Sequence, residues 1–306
     1  MSQTKLIIDT DPGIDDAMAI VFAALHPEID LVGLTSVFGN VTVDKTTRNA
    51  LRLAEFVGQE IPVAMGADVP RAMPFNGESD DVHGSEGFGD IPAEDPTRAP
   101  DPRPAAEFIC DMITQNPGEI VLCPVGPLTN IAAALDHDPS ITSKVKSVVI
   151  MGGSLHAGGN VTQHAEANIW NDPHAADVVF AADWPVTMIG LDVTQRINCY
   201  QDQFDTLAEE APRHGGFLNQ MFPYYARFYL KAYGLNGVMM HDPSAVIACI
   251  RPELFSYELS PLTVTKDGDA MGETLATTDR PNVTVAVEAE IDSIVALFLD
   301  TIRSGG

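Results

Sequence analysis

The stretch LIIDTDPGIDDA, residues 6–17, places an apolar run directly before four carboxylates. Leu6, Ile7 and Ile8 have the composition of a buried β-strand. The Pro12–Gly13 pair predicts a tight turn after that strand. A carboxylate from the pair at residues 15–16 can then open a helix, because acidic side chains are stabilised at helix N-termini. The stretch therefore predicts the strand–turn–helix unit with which an α/β fold begins.

The same alternation of apolar strands and amphipathic helices continues along the chain. The predicted strands are residues 5–8, 31–37, 120–125, 147–151, 186–191, 273–277 and 283–287. The predicted helices are residues 15–25, 44–57, 128–135, 173–182 and 291–302. Continuous Val/Ile/Leu strands between helices are typical of parallel sheets that are buried on both faces. We therefore predict an α/β fold, with a Rossmann-like, mostly parallel sheet and helices on both faces.

Two regions depart from this alternation. Residues 70–104 are rich in Gly, Pro and Asp and contain DVHGSEGFGD at residues 81–90. A stretch of this length without regular structure predicts a lid or a disordered segment. Residues 204–251 have a helical pattern with an aromatic group, MFPYYARFYLKAYG, and predict a helical cap. The sequence contains no internal repeat and no linker, so we expect residues 1–306 to form a single domain.

Composition and charge exclude several classes of function. Of the 306 residues, 45% are apolar, which is enough for a large core. The formal charge of −26 argues against nucleic acid and anionic membrane surfaces as partners. The N-terminus has no signal-peptide pattern and no stretch of 18 apolar residues occurs, so we expect a cytoplasmic protein. The four cysteines lack metal-binding spacing and are expected to be reduced, mostly buried thiols.

The four carboxylates of residues 9–17 allow two interpretations. Helix capping and the helix dipole explain one or two of them but leave the others in mutual repulsion. A hard divalent cation such as Ca²⁺, which binds six to eight oxygen atoms, would relieve that repulsion. The segment does not fit an EF-hand loop, because Ile14 and Ile20 would occupy the positions that require Gly and Glu. Further ligands must therefore come from distant parts of the chain.

Seven further motifs follow the acidic stretch. They are VFGNV (37–41), VHGSEGFG (82–89), PVGPLTNIA (124–132), MGGSLHAGGN (151–160), EANIWNDP (166–173), IGLDVT (189–194) and MHDPSAV (240–246). In this order and spacing, and together with DTDPGIDDA, they resemble the inosine-uridine-preferring nucleoside hydrolases, also called nucleoside N-ribohydrolases. The resemblance covers essentially the whole chain. It implies calcium-dependent hydrolysis of the N-glycosidic bond of ribonucleosides, in nucleoside salvage, by a dimer or tetramer of identical subunits.

The resemblance also implies a set of metal ligands and a catalytic base. The positions that match the calcium ligands are Asp11, Asp16, Asp242 and the main-chain carbonyl of Val125. The position of Val125 is often Thr in relatives, but a main-chain oxygen tolerates the change. Ribose hydroxyls and the attacking water would complete the coordination shell. Asp11 also matches the general base that takes a proton from this water.

Five positions match the residues that hold the ribose hydroxyls in the family: Asp15, Asn40, Asn160, Glu166 and Asn168. Cleavage of an N-glycosidic bond passes through an oxocarbenium-like ribosyl cation, which nearby negative charge stabilises. A metal ion orients the sugar and makes the attacking water more acidic. The residue types are therefore those that this chemistry requires.

Three further side chains are candidates for contact with the base. His241 could protonate the leaving base, or could only orient the metal ligand Asp242 from outside the coordination shell. His83 in the Gly-rich stretch could contact the base or lie in solvent. Tyr225 and Tyr229 share one helical face at a spacing of four residues. This spacing favours a core position for Tyr225 and leaves pocket contact open for Tyr229.

The alternatives to this interpretation belong to two other classes. Asp9-Thr10-Asp11 superficially fits a haloacid-dehalogenase-type phosphatase, but Pro12–Gly13 replaces the usual Gly-Thr continuation. A non-catalytic nucleoside- or ribose-binding protein would keep the metal site without the base, and Asp11 is present. Ala167 occupies a position where many relatives carry Phe beside the base. The preference for purine or pyrimidine therefore stays open.

Overall fold

The computed structural model describes residues 3–305 and contains eleven β-strands in that range. They are β1 (Thr4–Thr10), β2 (Ile29–Ser36), β3 (Val63–Met65), β4 (Ile120–Pro124), β5 (Ser147–Met151), β6 (Val186–Ile189), β7 (Asn198–Cys199), β8 (Val238–Met239), β9 (Phe255–Val264), β10 (Thr274–Ala276) and β11 (Asn282–Ala289).

Twelve α-helices connect or follow these strands in the same range. They are α1 (Ile14–Leu25), α2 (Val43–Phe56), α3 (Asp80–His83), α4 (Ala105–Gln115), α5 (Thr129–His137), α6 (Ala167–Asn171), α7 (Pro173–Ala181), α8 (Leu191–Thr194), α9 (Gln201–Glu210), α10 (His214–Tyr233), α11 (His241–Ala248) and α12 (Ile291–Ser304). Two short 3₁₀ helices lie at Pro139–Ser143 and Pro252–Leu254.

Nine strands form one sheet in the order β10-β9-β11-β6-β5-β4-β1-β2-β3. In this spatial order, the seven strands from β11 to β3 are all parallel to their neighbours within that group. Strand β9 runs antiparallel to both of its neighbours, β10 and β11. Strands β7 and β8 form a separate antiparallel pair. The predicted α/β fold with a mostly parallel sheet is therefore confirmed.

Strand β1 lies in the interior of the sheet, between β4 and β2. Leu6 and Ile8 pack into one apolar cluster with α1, α10, α11 and α12. Ile7, which points to the opposite face, packs into a second cluster with α4, α5 and α7. The helices therefore cover both faces, and the acidic turn after β1 opens at the carboxyl-terminal edge of the sheet, where α/β folds bind ligands.

Several predicted boundaries were wrong, each for a local reason. The strand predicted over residues 186–191 ends at Ile189, because Gly190 caps α8 and the Leu191 amide donates to the Gly153 carbonyl. The helical cap predicted near residues 204–251 consists of α9 and α10 only. Strand β8 interrupts it, and α11 packs against α1 and β5 instead.

Residues 70–104 are ordered against the rest of the fold. The segment contains the short helix α3, and Asp101 forms an isolated bridge with Ala64 at the edge of β3. The Tyr224 hydroxyl donates to the Asp80 carbonyl at 2.7 Å, which joins the segment to α10. Of the two interpretations of this region, disorder is therefore wrong, and a lid stays a prediction.

Two further properties concern the chain as a whole. No helix within residues 3–305 is long and apolar enough to cross a membrane. All four cysteines are free thiols; Cys110, Cys123 and Cys199 are buried and Cys249 is half-buried. The thiol state expected from the spacing of the cysteines is confirmed.

Candidate active site

A cavity of about 300 Å³ opens at the carboxyl-terminal ends of the central strands. Segments that follow β1, β2, β4 and β5 supply its floor, and α10 supplies one wall. The lining residues are Asp15, Asn40, Ser79, Val82, His83, Val125, Met151, Asn160, Val161, Glu166, Ala167, Asn168, Tyr225, Phe228, Tyr229, Tyr233, His241 and Asp242. Motifs that are distant in the sequence therefore meet in one pocket.

The acidic turn is fixed by hydrogen bonds to Asp16, the third residue of α1. Its Oδ2 accepts from the Gly13 amide at 2.9 Å and from Asn40 Nδ2 at 3.0 Å. Its Oδ1 accepts from the Thr10 hydroxyl at 2.5 Å and from the Asp11 amide at 3.2 Å. Asp16 thus caps the helix and holds the turn, and it lies beneath the cavity lining.

Asp11 also lies beneath the lining, in a space that only glycine neighbours permit. Its Oδ2 accepts from the Asn40 amide at 2.7 Å. A β-carbon at Gly126 would come within 2.5 Å of Asp11 Oδ1, and one at Gly39 would overlap Oδ2. Among residues 3–305, no donor bonds to the buried Oδ1 atom. An unpaired buried carboxylate oxygen is costly, so this atom requires a partner that the chain does not supply.

Three carboxylates next to Asp11 form a group that fits a metal ion. Ligand atoms of Asp15, Asp16 and Asp242 all lie within 4.8 Å of one another, and all three residues are buried. Burial, and then repulsion from Asp15 and Asp16, raises the pKa of Asp242 well above its usual range. Burial, followed by repulsion from Asp16, does the same to the pKa of Asp11. The donor set is all hard oxygen, and a divalent cation would relieve this repulsion.

The fourth carboxylate of the turn, Asp9, points elsewhere. Its Oδ1 accepts from the Thr35 hydroxyl at 2.5 Å and from Asn130 Nδ2 at 2.7 Å. Burial raises the pKa of Asp9 to about 7, although these two hydrogen bonds lower it. Asp9 therefore joins β1 to β2 and α5. The sequence grouped four carboxylates, and the structure brings only three of them to the site.

The wall opposite α10 is built around the N-terminus of α6. Glu166 caps this helix: Oε1 accepts from the Asn168 amide at 2.9 Å, and Oε2 accepts from the Gly153 amide at 2.9 Å. Asn168 Nδ2 donates to the carbonyl of Val125 at 2.8 Å. Asn160 Oδ1 accepts from the Ala167 amide at 3.0 Å. The predicted sugar contacts are therefore held rigidly by the backbone.

The two histidines face the cavity from different elements. His241, the first residue of α11, places Nδ1 2.8 Å from the Thr194 hydroxyl. Burial lowers the pKa of His241 to about 4. His83 Nδ1 accepts from the Ile14 amide at 3.1 Å, so its ring proton is on Nε2. Burial, and then His241, lowers the pKa of His83 to about 3. His83 is buried, not in solvent.

Aromatic side chains of α10 form the remaining wall. Tyr225 and Tyr229 are in contact, with ring centroids 4.9 Å apart and a hydroxyl–hydroxyl distance of 3.1 Å. Both line the cavity, so Tyr225 is a pocket residue and not only the core residue that its spacing favoured. Phe228 and Tyr233 extend the same wall, and neither was predicted individually. The aromatic group in the α10 sequence was the signal that could have found them.

Known proteins resemble this chain over nearly all of its length. Residues 6–296 match the family described as inosine-uridine preferring nucleoside hydrolase. Uridine nucleosidase 1 of Arabidopsis thaliana is 42% identical over 272 residues, which cover 89% of this chain and 81% of the relative. The inosine-uridine preferring nucleoside hydrolase of Crithidia fasciculata is 36% identical, and the match covers 99% of this chain and 98% of the relative.

A solved structure is also similar over nearly the whole chain. The purine-preferring ribonucleoside hydrolase from Gardnerella vaginalis superposes with a TM-score of 0.95 at 34% identity, over 98% of each chain. The similarity of the backbone therefore extends over nearly the whole fold.

Proposed function

Because the chain belongs to the inosine-uridine preferring nucleoside hydrolase family and hydrolyses N-glycosidic bonds of ribonucleosides, we propose that its reaction depends on Ca²⁺ and serves nucleoside salvage. The observation that carries the calcium proposal is the buried group of Asp15, Asp16 and Asp242 beside the unpaired oxygen of Asp11. Four carboxylates in one buried place repel one another strongly, and in their charged form they need a cation to compensate that charge.

The ligands that we propose are Asp11, Asp16, Asp242 and the main-chain carbonyl of Val125. All four supply oxygen, which favours Ca²⁺ over softer metals. The three carboxylates whose oxygen atoms lie within 4.8 Å of one another are those of Asp15, Asp16 and Asp242, so this group contains Asp15 and not Asp11. We assign Asp15 to a ribose hydroxyl, because it lines the cavity whereas Asp11 lies beneath it. A bound cation would orient the sugar and increase the acidity of the attacking water.

Asp11 is the proposed general base. Within residues 3–305, two carboxylate oxygens of the turn are buried without a hydrogen-bond partner: Asp11 Oδ1 and Asp9 Oδ2. Asp9 points away from the site, which leaves Asp11 Oδ1. The same oxygen would bind the cation and accept the proton of the attacking water, while Oδ2 is held by the Asn40 amide. The developing ribosyl cation would lie close to the negative charges of the cluster, which stabilise it.

The ribose is proposed to bind between Asp15, Asn40, Asn160, Glu166 and Asn168, all of which line the cavity. Asn160 accepts a main-chain hydrogen bond with Oδ1, so its Nδ2 is available for a ribose hydroxyl. Asn168 donates to the main chain with Nδ2, so its Oδ1 is available for a ribose hydroxyl. We propose that the base lies against the wall formed by α10. Its contacts would be Tyr229 of α10 and His83 of the Gly-rich segment. Aromatic rings at this wall suit stacking on either a purine or a pyrimidine.

His241 is the proposed acid for the leaving base. Its lowered pKa makes the protonated ring a minor form at neutral pH but a strong proton donor. The Thr194 hydroxyl fixes one nitrogen of its ring, so the other is available on the cavity side. His83 is the alternative, and its ring nitrogen Nδ1 is occupied by the Ile14 amide. Proton donation in the transition state is worth roughly 10²–10⁴ in rate, so the two histidines can be separated by kinetics.

The assembly and the compartment are also proposals. By resemblance to the family, we propose that residues 1–306 act as one domain, that the protein forms a homo-oligomer (a dimer or tetramer), and that it is cytoplasmic. Light scattering of the purified protein would measure the oligomer directly. A mass that corresponds to the monomer at micromolar concentration would contradict it.

A substrate panel tests the proposed activity. Inosine, adenosine, guanosine, uridine and cytidine are incubated with the purified protein, and free ribose is measured as reducing sugar. We expect ribose from at least one purine or pyrimidine nucleoside. Binding without ribose release would instead indicate a non-catalytic nucleoside-binding protein. Phosphate release from an aryl phosphate would indicate the phosphatase alternative.

A further inference from the structure

Asn49 is a fully buried polar residue on α2 that lies outside the cavity lining. Its Nδ2 atom donates to the Glu86 carbonyl at 2.7 Å and to the Pro12 carbonyl at 3.1 Å. Both amide protons are therefore used, on two segments that are more than 70 residues apart in the sequence. Pro12 belongs to the acidic turn, and Glu86 belongs to the Gly-rich segment, residues 81–90.

The two segments approach each other so closely at this point that no side chain fits between them. Gly87 has a φ of +90°, and a β-carbon there would lie 2.6 Å from Asn49 Nδ2 and 2.8 Å from the Pro12 carbonyl oxygen. A β-carbon at Gly13 would lie 2.5 Å from His83 Nδ1. The Gly-rich segment therefore lies directly on the acidic turn, and Asn49 is the side chain that joins them.

Two partly exposed side chains on the same helix extend this contact. Lys45 Nζ is 2.8 Å from Glu78 Oε1 and donates to the Ser85 carbonyl at 2.8 Å. Arg48 is 2.8 Å from Glu86 Oε2. Residues 45, 48 and 49 are spaced as one face of a helix. Helix α2 therefore holds the Gly-rich segment at successive points along its length.

The segment carries side chains that form part of the pocket. Val82 and His83 line the cavity from it, and Ser79 does so from just before it. The proposed ribose contacts Asn160, Glu166 and Asn168 come from a different part of the chain. A shift of the Gly-rich segment would therefore remove contacts on the base side of the pocket and leave these three ribose contacts in place.

We propose that Asn49 is a positioning residue for this reaction. By joining the Pro12 and Glu86 carbonyls, it sets the place of His83 and Val82 at the base-binding side of the pocket without itself touching the nucleoside. The inference rests on the proposed function, since it assigns the Gly-rich segment to recognition of the base. Lys45 and Arg48 support the same position with weaker, partly solvated contacts.

Two substitutions test the proposal. Asn49→Ala removes both donated hydrogen bonds, and Asn49→Asp keeps the shape but places one acceptor oxygen, in the position of Nδ2, against two carbonyls. For each we expect the KM for a nucleoside to rise by about 10-fold, while the inhibition constant of free ribose changes less than about twofold. Asn116→Ala is the control. Asn116 also donates to a main-chain carbonyl, that of Met112 at 3.0 Å, but its side-chain hydrogen bonds involve only Met112 and Lys5, which lie outside the acidic turn and the Gly-rich segment.

A role of Asn49 in stability alone would lower the active fraction and leave the KM unchanged. Equal losses of nucleoside and ribose affinity would show that the substitution disturbs the acidic turn instead of the base side of the pocket. Either result would overturn the proposal. Should Asn49 variants not fold, the double variant Lys45→Met/Arg48→Met tests the same idea on partly exposed positions. Its KM should be raised about two- to fivefold and should respond less to added salt than that of the wild type.

Hydrogen exchange provides a readout that does not depend on turnover. The Gly87 amide donates to the Gly84 carbonyl at 3.0 Å, and the Gly89 amide donates to the His83 carbonyl at 2.7 Å. In Asn49→Ala we expect both amides to exchange at least about 10-fold faster, with exchange in β4 and β5 unchanged. Unchanged exchange at Gly87 and Gly89 would contradict the positioning role even if the wild-type protein cleaved no nucleoside.

Discussion

The side chain of Asn168 donates a hydrogen bond of 2.8 Å from Nδ2 to the main-chain carbonyl oxygen of Val125. The same nitrogen donates to the Met151 carbonyl at 3.2 Å. Both amide protons are thus engaged, and Oδ1 is the atom left for a sugar hydroxyl. A proposed ribose contact and a proposed calcium ligand are therefore directly connected, so substrate affinity and metal retention should change together.

This connection predicts the effect of Asn168→Asp. The substitution replaces Nδ2 with one carboxylate oxygen that faces the Val125 and Met151 carbonyls, which removes two hydrogen bonds and adds repulsion. We expect the KM for a nucleoside to rise on the order of 10-fold or more, and calcium to be lost more readily during dialysis. Asn198→Asp, in β7, is the control. A higher KM with normal calcium retention would show that the two sites are independent.

Asp11→Asn separates the base from the metal scaffold. It keeps the shape and one ligand oxygen but lacks the proton acceptor. Turnover should fall by a factor on the order of 10² or more, with ribose affinity largely retained. Steady-state rates and ribose inhibition measure the two effects. Asp242→Ala provides the contrast, since it should damage metal retention and substrate binding together. Normal turnover by Asp11→Asn would require another residue as the base.

His241→Ala tests protonation of the leaving base. A purine or uracil anion leaves poorly, so a natural nucleoside should be cleaved roughly 10-fold or more slowly. With p-nitrophenyl riboside, whose leaving group needs no proton, the rate should barely change. Equal losses on both substrates would make His241 structural. A selective loss in His83→Ala would transfer the role of acid to the Gly-rich segment.

Asp177 provides a stability prediction outside the pocket. Burial alone would raise its pKa, but hydrogen bonds from Arg280 and Lys266 outweigh burial, and the pKa lies below its usual value. A carboxylate with a lowered pKa stabilises the fold above its unfolded pKa, and this contribution is lost as the pH falls through the folded pKa. Asp177→Asn should therefore lower the melting temperature by a few degrees at pH 7.

The pH dependence makes the Asp177 prediction specific. The difference in melting temperature between wild type and Asp177→Asn should be constant from pH 7 to about pH 5 and should shrink below about pH 4. Asp183→Asn, at an exposed position, is the control and should show no such trend. A difference that grows towards low pH would contradict this origin of the stability.

The sequence predicted those parts of the fold in which a continuous apolar run determines the element. Strand β5 is found at the predicted residues 147–151, because it is a Val/Ile run that is nearly all buried. Strand β9 was not predicted, because exposed Ser256, Glu258 and Leu259 interrupt its buried positions. Near the edge of the sheet, pairing with β10 and β11 forms this strand, and local composition does not reveal that pairing.

In the candidate site, too, residues in local motifs were predicted from the sequence, whereas roles that depend on distant partners were not. Asp15 and Asp16 directly follow the first strand, which was sufficient to predict them as site residues, and Glu166 was added by the resemblance of its motif to the family. The different direction of Asp9 depends on Thr35 and Asn130, which are distant in the sequence. The role that we infer for Asn49 likewise depends on two carbonyls that only the folded chain brings together. Such main-chain partners have no signature in the residue types.

The most direct measurement is ribose release after removal and return of calcium. The protein is treated exhaustively with a chelator and assayed with inosine and uridine while Ca²⁺ is added back in steps. We predict that activity disappears and then returns in full, with elemental analysis showing about one calcium per chain at saturation. Asp242→Ala should not recover over the same range. Full ribose release from the chelated protein, or zinc in place of calcium, would contradict a calcium-dependent hydrolase at this cluster.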